Sequence, residues 1–305
     1  MMELFEMMLT AGLWASVIRI ATPLIFATLG ELICERAGVL NLGIEGIMTI
    51  GAMAGWIWVY QGGDLWGGIV FAAIVGMVFG LLHSLLVVYL GLSQHVSGIG
   101  ITLLASSISY YAYTMLIPFS TFEVPLLSSI PIIGEAFFNQ SALTYLAYIL
   151  VIVTFYVLYK MPIGLTIRMA GENPVANEAQ GINVLLIRTG AVMAGSALMA
   201  IGGAFLTMSA FDAFYFGMIN GRGWICIALV IFASWKPGKA FLGAILFALF
   251  EALQIRAQLI GADVIPYQIF SMMPYFLSIV AMMLVARKAA YPKALLVPFR
   301  QGDRI

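Results

Sequence analysis

The chain has 305 residues, of which 63% are hydrophobic and only 9% are Asp, Glu, Lys or Arg. A soluble domain carries about 25% charged residues, so this composition excludes an ordinary soluble protein. It predicts an all-α polytopic membrane protein that forms a single transmembrane domain, residues 1–305. The formal net charge is zero, which gives no indication of a nucleic-acid partner.

Long apolar runs predict about nine transmembrane helices, within a range of eight to ten, because a spanning helix needs about 20 apolar residues. Gly and polar residues interrupt the starts of the second and the seventh. The predicted segments are 8–29, 40–60, 66–90, 95–117, 143–160, 186–208, 219–236, 239–257 and 268–286.

Lysine and arginine cluster in three places, which nine segments put on one side of the membrane. The positive-inside rule assigns that side to the cytoplasm. We therefore predict a cytoplasmic loop at 160–186 and an extracytoplasmic loop at 118–142, which contains Glu123 and Glu135 but no Lys or Arg. The three clusters are Lys160, Arg168 and Arg188; Lys236 and Lys239; and Arg287, Lys288, Lys293, Arg300 and Arg304.

The first polar stretch, Gly30–Gly46, lies between two strongly apolar runs. Glu31 and Glu35 are four residues apart and would share a helix face, and Arg36 could pair with a nearby carboxylate. One interpretation is a solvated turn whose charges cap helix ends. The other is a broken helix that lines a solute path, with Asn41 and Glu45 as hydrogen-bonding groups.

Pairs of small residues occur within two spans, Gly76 with Gly80 and Gly190 with Ala194. Such pairs are typical of close helix packing in membranes. The stretches 27–56 and 200–235 also share one pattern, a helix with small residues, a polar break and a Gly-rich restart. Five predicted spans separate them, which predicts an inverted repeat.

The longest polar stretch on the cytoplasmic side predicts a short surface helix. Asn173 can cap its start, Pro174 suits its first turn, and Gly181 is placed to end it. An ordinary interhelical loop is the alternative, but a compact capped helix favours a docking role. A third polar stretch, 212–222, is predicted at the outer interface, where its aromatic side chains anchor the protein or stack on a planar solute.

The sequence contains no phosphate-binding GxxxxGK[ST] loop and no recognisable catalytic or metal-binding pattern. We therefore predict that the chain is not an enzyme and holds no metal or cofactor. A self-contained secondary transporter would need carboxylates in mid-span. The candidates for that role are Glu251 and Asp212, and both lie near the ends of predicted segments.

Two stretches resemble one family of permeases. ATPLIFATLGELICERAGVLNLGIEGIMTIGAMAG (Ala21–Gly55) is similar to the opening signature of the ABC importer permeases for ribose and branched-chain amino acids. GLTIRMAGENPVANEAQGIN (Gly164–Asn183) resembles the coupling loop of that family. The resemblance extends over nearly the whole chain and implies a type II ABC importer-like bundle in the bacterial cytoplasmic (inner) membrane.

Within the family, ERAGVLNLGIEG is most similar to the nucleoside-type permeases. This resemblance implies uptake of nucleosides, with ribose, another sugar or a branched-chain amino acid as the alternative solute. It also implies an ABC ATPase subunit that holds the ATP and Mg²⁺, and an extracytoplasmic solute-binding lipoprotein of the basic-membrane-protein class. A second homologous permease would complete the importer, as a heterodimer or as a homodimer.

The resemblance identifies the short loop helix as the coupling helix that the ATPase moves. The residues expected to couple to the ATPase are Arg168, Gly171, Glu172, Asn173, Ala176, Glu178 and Gly181. Polarity and position suggest the substrate path, with Glu31, Asn41, Glu45, Phe214 and Asn220 as its residues.

Overall fold

The computed structural model of the protein describes residues 10–115, 140–261 and 291–300, together with six positions between 272 and 283. Every regular element in these ranges is a helix. The helices are α1 Ala11–Arg36, α2 Ile44–Tyr60, α3 Leu65–Ser84, α4 Gln94–Met115, α5 Ala142–Lys160, α6 Pro162–Glu172, α7 Pro174–Ala179, α8 Val184–Phe205, α9 Arg222–Phe232 and α10 Pro237–Gly261. A π-helical turn extends α3 through Leu85–Tyr89 and another extends α8 through Leu206–Ala210.

Eight of the nine predicted segments coincide with a helix in this arrangement. The ninth, 268–286, lies largely outside the described residues, so the count of nine is not confirmed. Within the described residues, five helices are long and apolar enough to cross a membrane. They span Ala11–Arg36, Leu65–Tyr89, Ala142–Lys160, Val184–Ala210 and Pro237–Arg256.

The first predicted segment was too short. It ends at residue 29, whereas α1 continues to Arg36. Glu31 and Glu35 lie buried inside the bundle, where each carboxylate accepts a hydrogen bond. Asn41 N donates to Glu31 at 2.9 Å, and Trp235 Nε1 donates to Glu35 at 2.6 Å. These partners therefore allow the helix to carry two carboxyl groups inside the bundle.

Helix α8 lies at the centre of the bundle and packs against α1, α2 and α3. The glycine pair on α3 makes one of these contacts. A Cβ atom on Gly76 would lie 2.5 Å from Ser196 O, and one on Gly80 would lie 2.6 Å from Ser196 Oγ. The packing role predicted for this pair is confirmed. The same prediction is wrong for Gly190 and Ala194, which line an open apolar groove instead.

The two ends of the bundle differ in charge. One end, here called the basic end, carries Lys160, Lys236 and Lys293. Its parts are held together by contacts between distant residues, because Arg36 donates to Trp235 O at 2.9 Å and Ala294 N donates to Gly171 O at 2.8 Å. The start of α1 lies at the opposite end, where Arg256 donates to Thr10. The three predicted basic clusters thus share one end, as far as the described residues show.

Two helices begin in the interior of the bundle rather than at an end. After α1, the non-helical segment 37–43 leads from the basic end back to the start of α2, which runs to the opposite end. After α8, the segment 211–221 leads from that opposite end inward to the start of α9, which runs to the basic end. The two starts meet, because Gly221 N and Gly223 N both donate to the Glu45 carboxylate at 2.7 Å.

Candidate functional site

The corner formed by α6 and α7 is the first candidate site. Asn173 Oδ1 accepts a hydrogen bond from Ala176 N at 3.1 Å, which caps α7. The buried Asn177 side chain donates to Thr166 O at 2.8 Å and fixes α7 against α6. Gly181 ends the helix with a φ of +76°, a backbone conformation that favours glycine. The predicted short helix is confirmed, and its start and end lie where the sequence signals placed them.

Most residues predicted to couple to an ATPase reach the surface of this corner. Asn173 and Gly181 are exposed, while Glu172, Ala176 and Glu178 are half-buried. Arg168 is half-buried as well, with its guanidinium carbon 4.9 Å from the centre of the Tyr159 ring. Their role in docking stays a prediction.

Gly171 departs from this pattern because it is buried. A Cβ atom at this position would meet the backbone carbonyl of Arg36 and lie 3.1 Å from Gly38 N. Gly171 therefore touches the segment that follows α1 and does not belong to the surface of the α6–α7 corner.

The seam between α2 and α9 is the second candidate site. Glu45 lies in the first turn of α2, and its carboxylate accepts hydrogen bonds from backbone amides at the start of α9. Each amide belongs to the otherwise unpaired N-terminal turn of a helix, whose dipole favours a negative charge. Beside them, Arg222 and Glu251 form an ion pair at 2.6 Å, with side chains 14% and 18% exposed.

The substrate-path residues divide into three groups. Glu31 and Asn41 meet inside the bundle, where Asn41 Nδ2 also donates to Ser196 Oγ at 3.2 Å. Glu45 and Asn220 lie at the seam, where Tyr275 Oη donates to Asn220 O. Phe214 is buried among aromatic rings whose centres are 4.8–6.5 Å apart. These rings are those of Trp56, Tyr60, Tyr110, Tyr113 and Phe216.

Two predictions about these polar stretches were wrong. Arg36 pairs with no carboxylate among the described residues; its guanidinium donates to Trp235 O and to the Tyr159 hydroxyl. The stretch 212–222 departs from the predicted outer interface at its C-terminal end, because Gly221 lies beside Glu45. Non-helical backbone can enter the bundle there because Glu45 provides an acceptor for its amides.

The bundle also contains an apolar groove of about 580 Å³ between α1, α5, α6 and α8. Thr154 provides the single side-chain hydroxyl in its lining, and none of the predicted path residues contributes to it. A polar solute would find almost no hydrogen-bonding partner in this groove.

Comparison with known families decides between the kinds of transporter. The family described as "Branched-chain amino acid transport system / permease component" matches residues 13–287. The chain belongs to this permease family.

Three relatives are similar to the permease over most of its length. It is 38% identical to a putative glucose ABC transporter permease protein of Haloferax volcanii over 83% of this chain and 79% of the relative. It is 35% identical to the nucleoside ABC transporter permease protein NupC of Lactococcus lactis, over 92% and 94%. It is 32% identical to the guanosine ABC transporter permease protein NupQ of Bacillus subtilis, over 93% and 95%. No solved structure matches the permease.

Sequence reasoning missed several residues that organise the permease. It did not foresee that Glu35 accepts a hydrogen bond from Trp235, or that Arg188 is buried and donates to Ala170 O at 3.0 Å. Their partners are 200 and 18 residues away in sequence, so no local pattern indicates the first contact. The only signal was a charge beside an apolar run, which a membrane protein must pair or hydrate.

Proposed function

We propose that this permease is the membrane subunit of an ABC importer that takes up nucleosides. A separate ATPase subunit would bind ATP and Mg²⁺ and drive alternating access. A solute-binding lipoprotein would deliver the nucleoside, and a second homologous permease would complete the pathway. The proposal is supported by the similarity to NupC and NupQ, which extends over more than 90% of each chain.

A sugar is the second candidate solute, because the Haloferax volcanii relative is named as a putative glucose permease. A nucleoside and a sugar share a ring that carries neighbouring hydroxyl groups. Competition for uptake separates the two, since unlabelled guanosine or adenosine would suppress nucleoside uptake while glucose would not.

The orientation of the bundle follows from its charges. We place the basic end in the cytoplasm of a bacterial cell, since short cytoplasmic loops are rich in Lys and Arg. The 160–186 loop then lies inside and the 118–142 loop outside. Helices α2 and α9 both begin inside the bundle, at the same place, and run in opposite directions. This arrangement supports an inverted repeat of the kind expected for a type II importer bundle.

The α6–α7 corner is the proposed coupling site for the ATPase. The observation that carries this role is the rigid short helix α7, capped by Asn173, ended by Gly181 and tied to α6 through Asn177, at the basic end. A helix fixed at both of its ends moves as one body, so a push on its exposed side displaces α6 as well.

The seam at Glu45 is the proposed part of the substrate path. Three charged side chains are partly exposed at this seam, between the two ends of the bundle: those of Arg222, Glu251 and Glu45. Lipid cannot solvate such charges. A water-filled path beside this seam, completed by the second permease, would hydrate them. Asn220 shares the seam, Phe214 lies in the aromatic cluster at the end of α2, and Glu31 and Asn41 hold the 37–43 segment behind it.

A bulky residue on the exposed side of α7 is the direct test of coupling. Ala179 is exposed in the last turn of α7, and Ala179→Trp is expected to lower both ATP-driven uptake and co-purification of the ATPase by about tenfold, a cost of about 1.4 kcal/mol in binding. Gly181→Val should act in the same direction, because the helix end needs a positive φ.

Leu92→Trp is the matched control, because Leu92 is exposed near the basic end but outside α7. It should leave uptake and ATPase association unchanged. Normal uptake and normal ATPase association in Ala179→Trp would remove α7 as the coupling site.

A further inference from the structure

Four parts of the chain meet at a single point of the basic end. They are the start of the 37–43 segment, the end of α6, the start of α8 and the C-terminal segment 291–300. Gly38, with a φ of +89°, lies so close to the others that a Cβ atom there would be 2.9 Å from Arg188 Nη2, 3.2 Å from Ala294 O and 3.2 Å from Gly171 Cα.

The buried Arg188 side chain fastens this meeting point. Its guanidinium donates to Ala170 O at 3.0 Å and to Val297 O at 3.2 Å, and its Cζ lies 5.9 Å from the centre of the Phe299 ring. Arg188 is 2% exposed, so these carbonyl groups replace water around a charge that would otherwise be costly to bury.

The C-terminal segment closes the meeting point from the cytoplasmic side of the bundle. Ala294 N donates to Gly171 O at 2.8 Å, and Lys293 N lies 3.4 Å from Glu172 Oε2. Phe299 is buried with Ala170 and Val184. The segment therefore holds the end of α6 directly before Asn173, the residue that caps α7.

We propose that Gly38, Gly171, Arg188 and the segment 291–300 form a joint that transmits movement of α7 to the two interrupted helices. This inference rests on the proposed function, because it assumes that an ATPase moves α7. Gly171 and Gly38 touch through backbone atoms with no side chain between them. A displacement of α6 therefore moves the 37–43 segment directly, because no flexible side chain lies between the two backbones.

From Gly38 the movement has two routes into the bundle. Along the chain, the 37–43 segment leads to Asn41, whose N–H donates to Glu31, and then to the start of α2. Between segments distant in sequence, the Arg36 guanidinium donates to Trp235 O, three residues after the end of α9. The joint thus lies beside the segment that leads to α2 and beside Arg36, whose guanidinium contacts the chain just after α9.

The test separates transmission from docking by measuring two quantities on the same assembled importer. The complex of permease, ATPase and binding protein is placed in proteoliposomes, and guanosine uptake and ATP hydrolysis are recorded together. Gly171→Ala is expected to lower uptake by about tenfold while ATPase association and hydrolysis stay within about twofold of wild type.

Gly190→Ala is the matched control, since a Cβ atom at Gly190, also on α8, would meet nothing within 4 Å. It should transport like wild type. A second variant, in which residues 291–305 are deleted, removes the C-terminal contacts of the joint without cutting a described helix. Uptake should again fall while ATP hydrolysis stays near the wild-type rate. If Gly171→Ala does not accumulate in the membrane, the deletion variant alone tests the joint.

Two results would overturn the joint. One is unchanged uptake in both variants, which would make the contact a passive one. The other is a parallel loss of ATPase association and hydrolysis, which would make the region part of the docking surface. A wild-type complex with no ATP-dependent uptake would remove the proposed function itself, and that result is visible before any variant is compared.

Discussion

Replacing Glu45 with alanine is expected to lower uptake by about tenfold or more and to destabilise the bundle. The carboxylate accepts two hydrogen bonds of 2.7 Å from Gly221 N and Gly223 N. Hydrogen bonds to a charged group contribute about 1.5–3 kcal/mol each, and the variant leaves both amides without this acceptor. Uptake in proteoliposomes and thermal unfolding of the purified permease would measure the two effects.

Asp64→Ala is the control for this variant. Asp64 also accepts a backbone amide at a helix start, from Gly67 N at 2.9 Å, but it is exposed at the opposite end of the bundle. Loss of such a cap costs about 1 kcal/mol, and uptake should not change. Wild-type uptake in Glu45→Ala would place the substrate path elsewhere.

The Arg222–Glu251 pair should show strong coupling between its two members. Arg222→Met alone leaves Glu251 without its cation. Removing one member of a fully buried pair costs about 3–5 kcal/mol, and because these side chains are 14% and 18% exposed, we expect a smaller loss. The double variant Arg222→Met/Glu251→Leu should recover most of that stability. A double-mutant cycle on unfolding free energies in detergent measures the coupling.

If the pair faces the substrate path, the double variant should recover its stability but not its rate of uptake. A double variant that transports at the wild-type rate would give Arg222 and Glu251 a purely structural role. Equal destabilisation by the single and the double variants would show instead that the two side chains contribute independently.

Local features of the fold were predictable from the sequence where the signals lie within a few residues. The Asn173 cap, Pro174 in the first turn and Gly181 at the end define α7 almost completely. The apolar runs located eight helices, because the hydrophobicity of a run is a property of its own residues and needs no distant partner.

Features that depend on distant contacts were not predictable. The end of α1 was misplaced because Glu31 and Glu35 are stabilised by Asn41 and Trp235, and hydropathy contains no information on such partners. The position of Asn220 at the seam depends on Glu45, which lies on another helix and binds the neighbouring Gly221 amide. The meeting of Gly38 with Gly171 likewise has no local signal beyond two glycines.

The small-residue pairs show the same limit. Gly76 with Gly80 and Gly190 with Ala194 have the same spacing, yet the first pair packs against α8 and the second lines an open groove. Spacing predicts that a helix can approach closely, but the neighbouring helix decides whether it does.

Uptake of labelled guanosine into proteoliposomes that contain the permease, its ATPase and its binding protein tests the central claim most directly. With ATP and Mg²⁺ available to the ATPase, uptake should proceed and should persist when ionophores abolish every ion gradient. Uptake that continues without ATP and stops when the ion gradients collapse would contradict an importer driven by a separate ATPase.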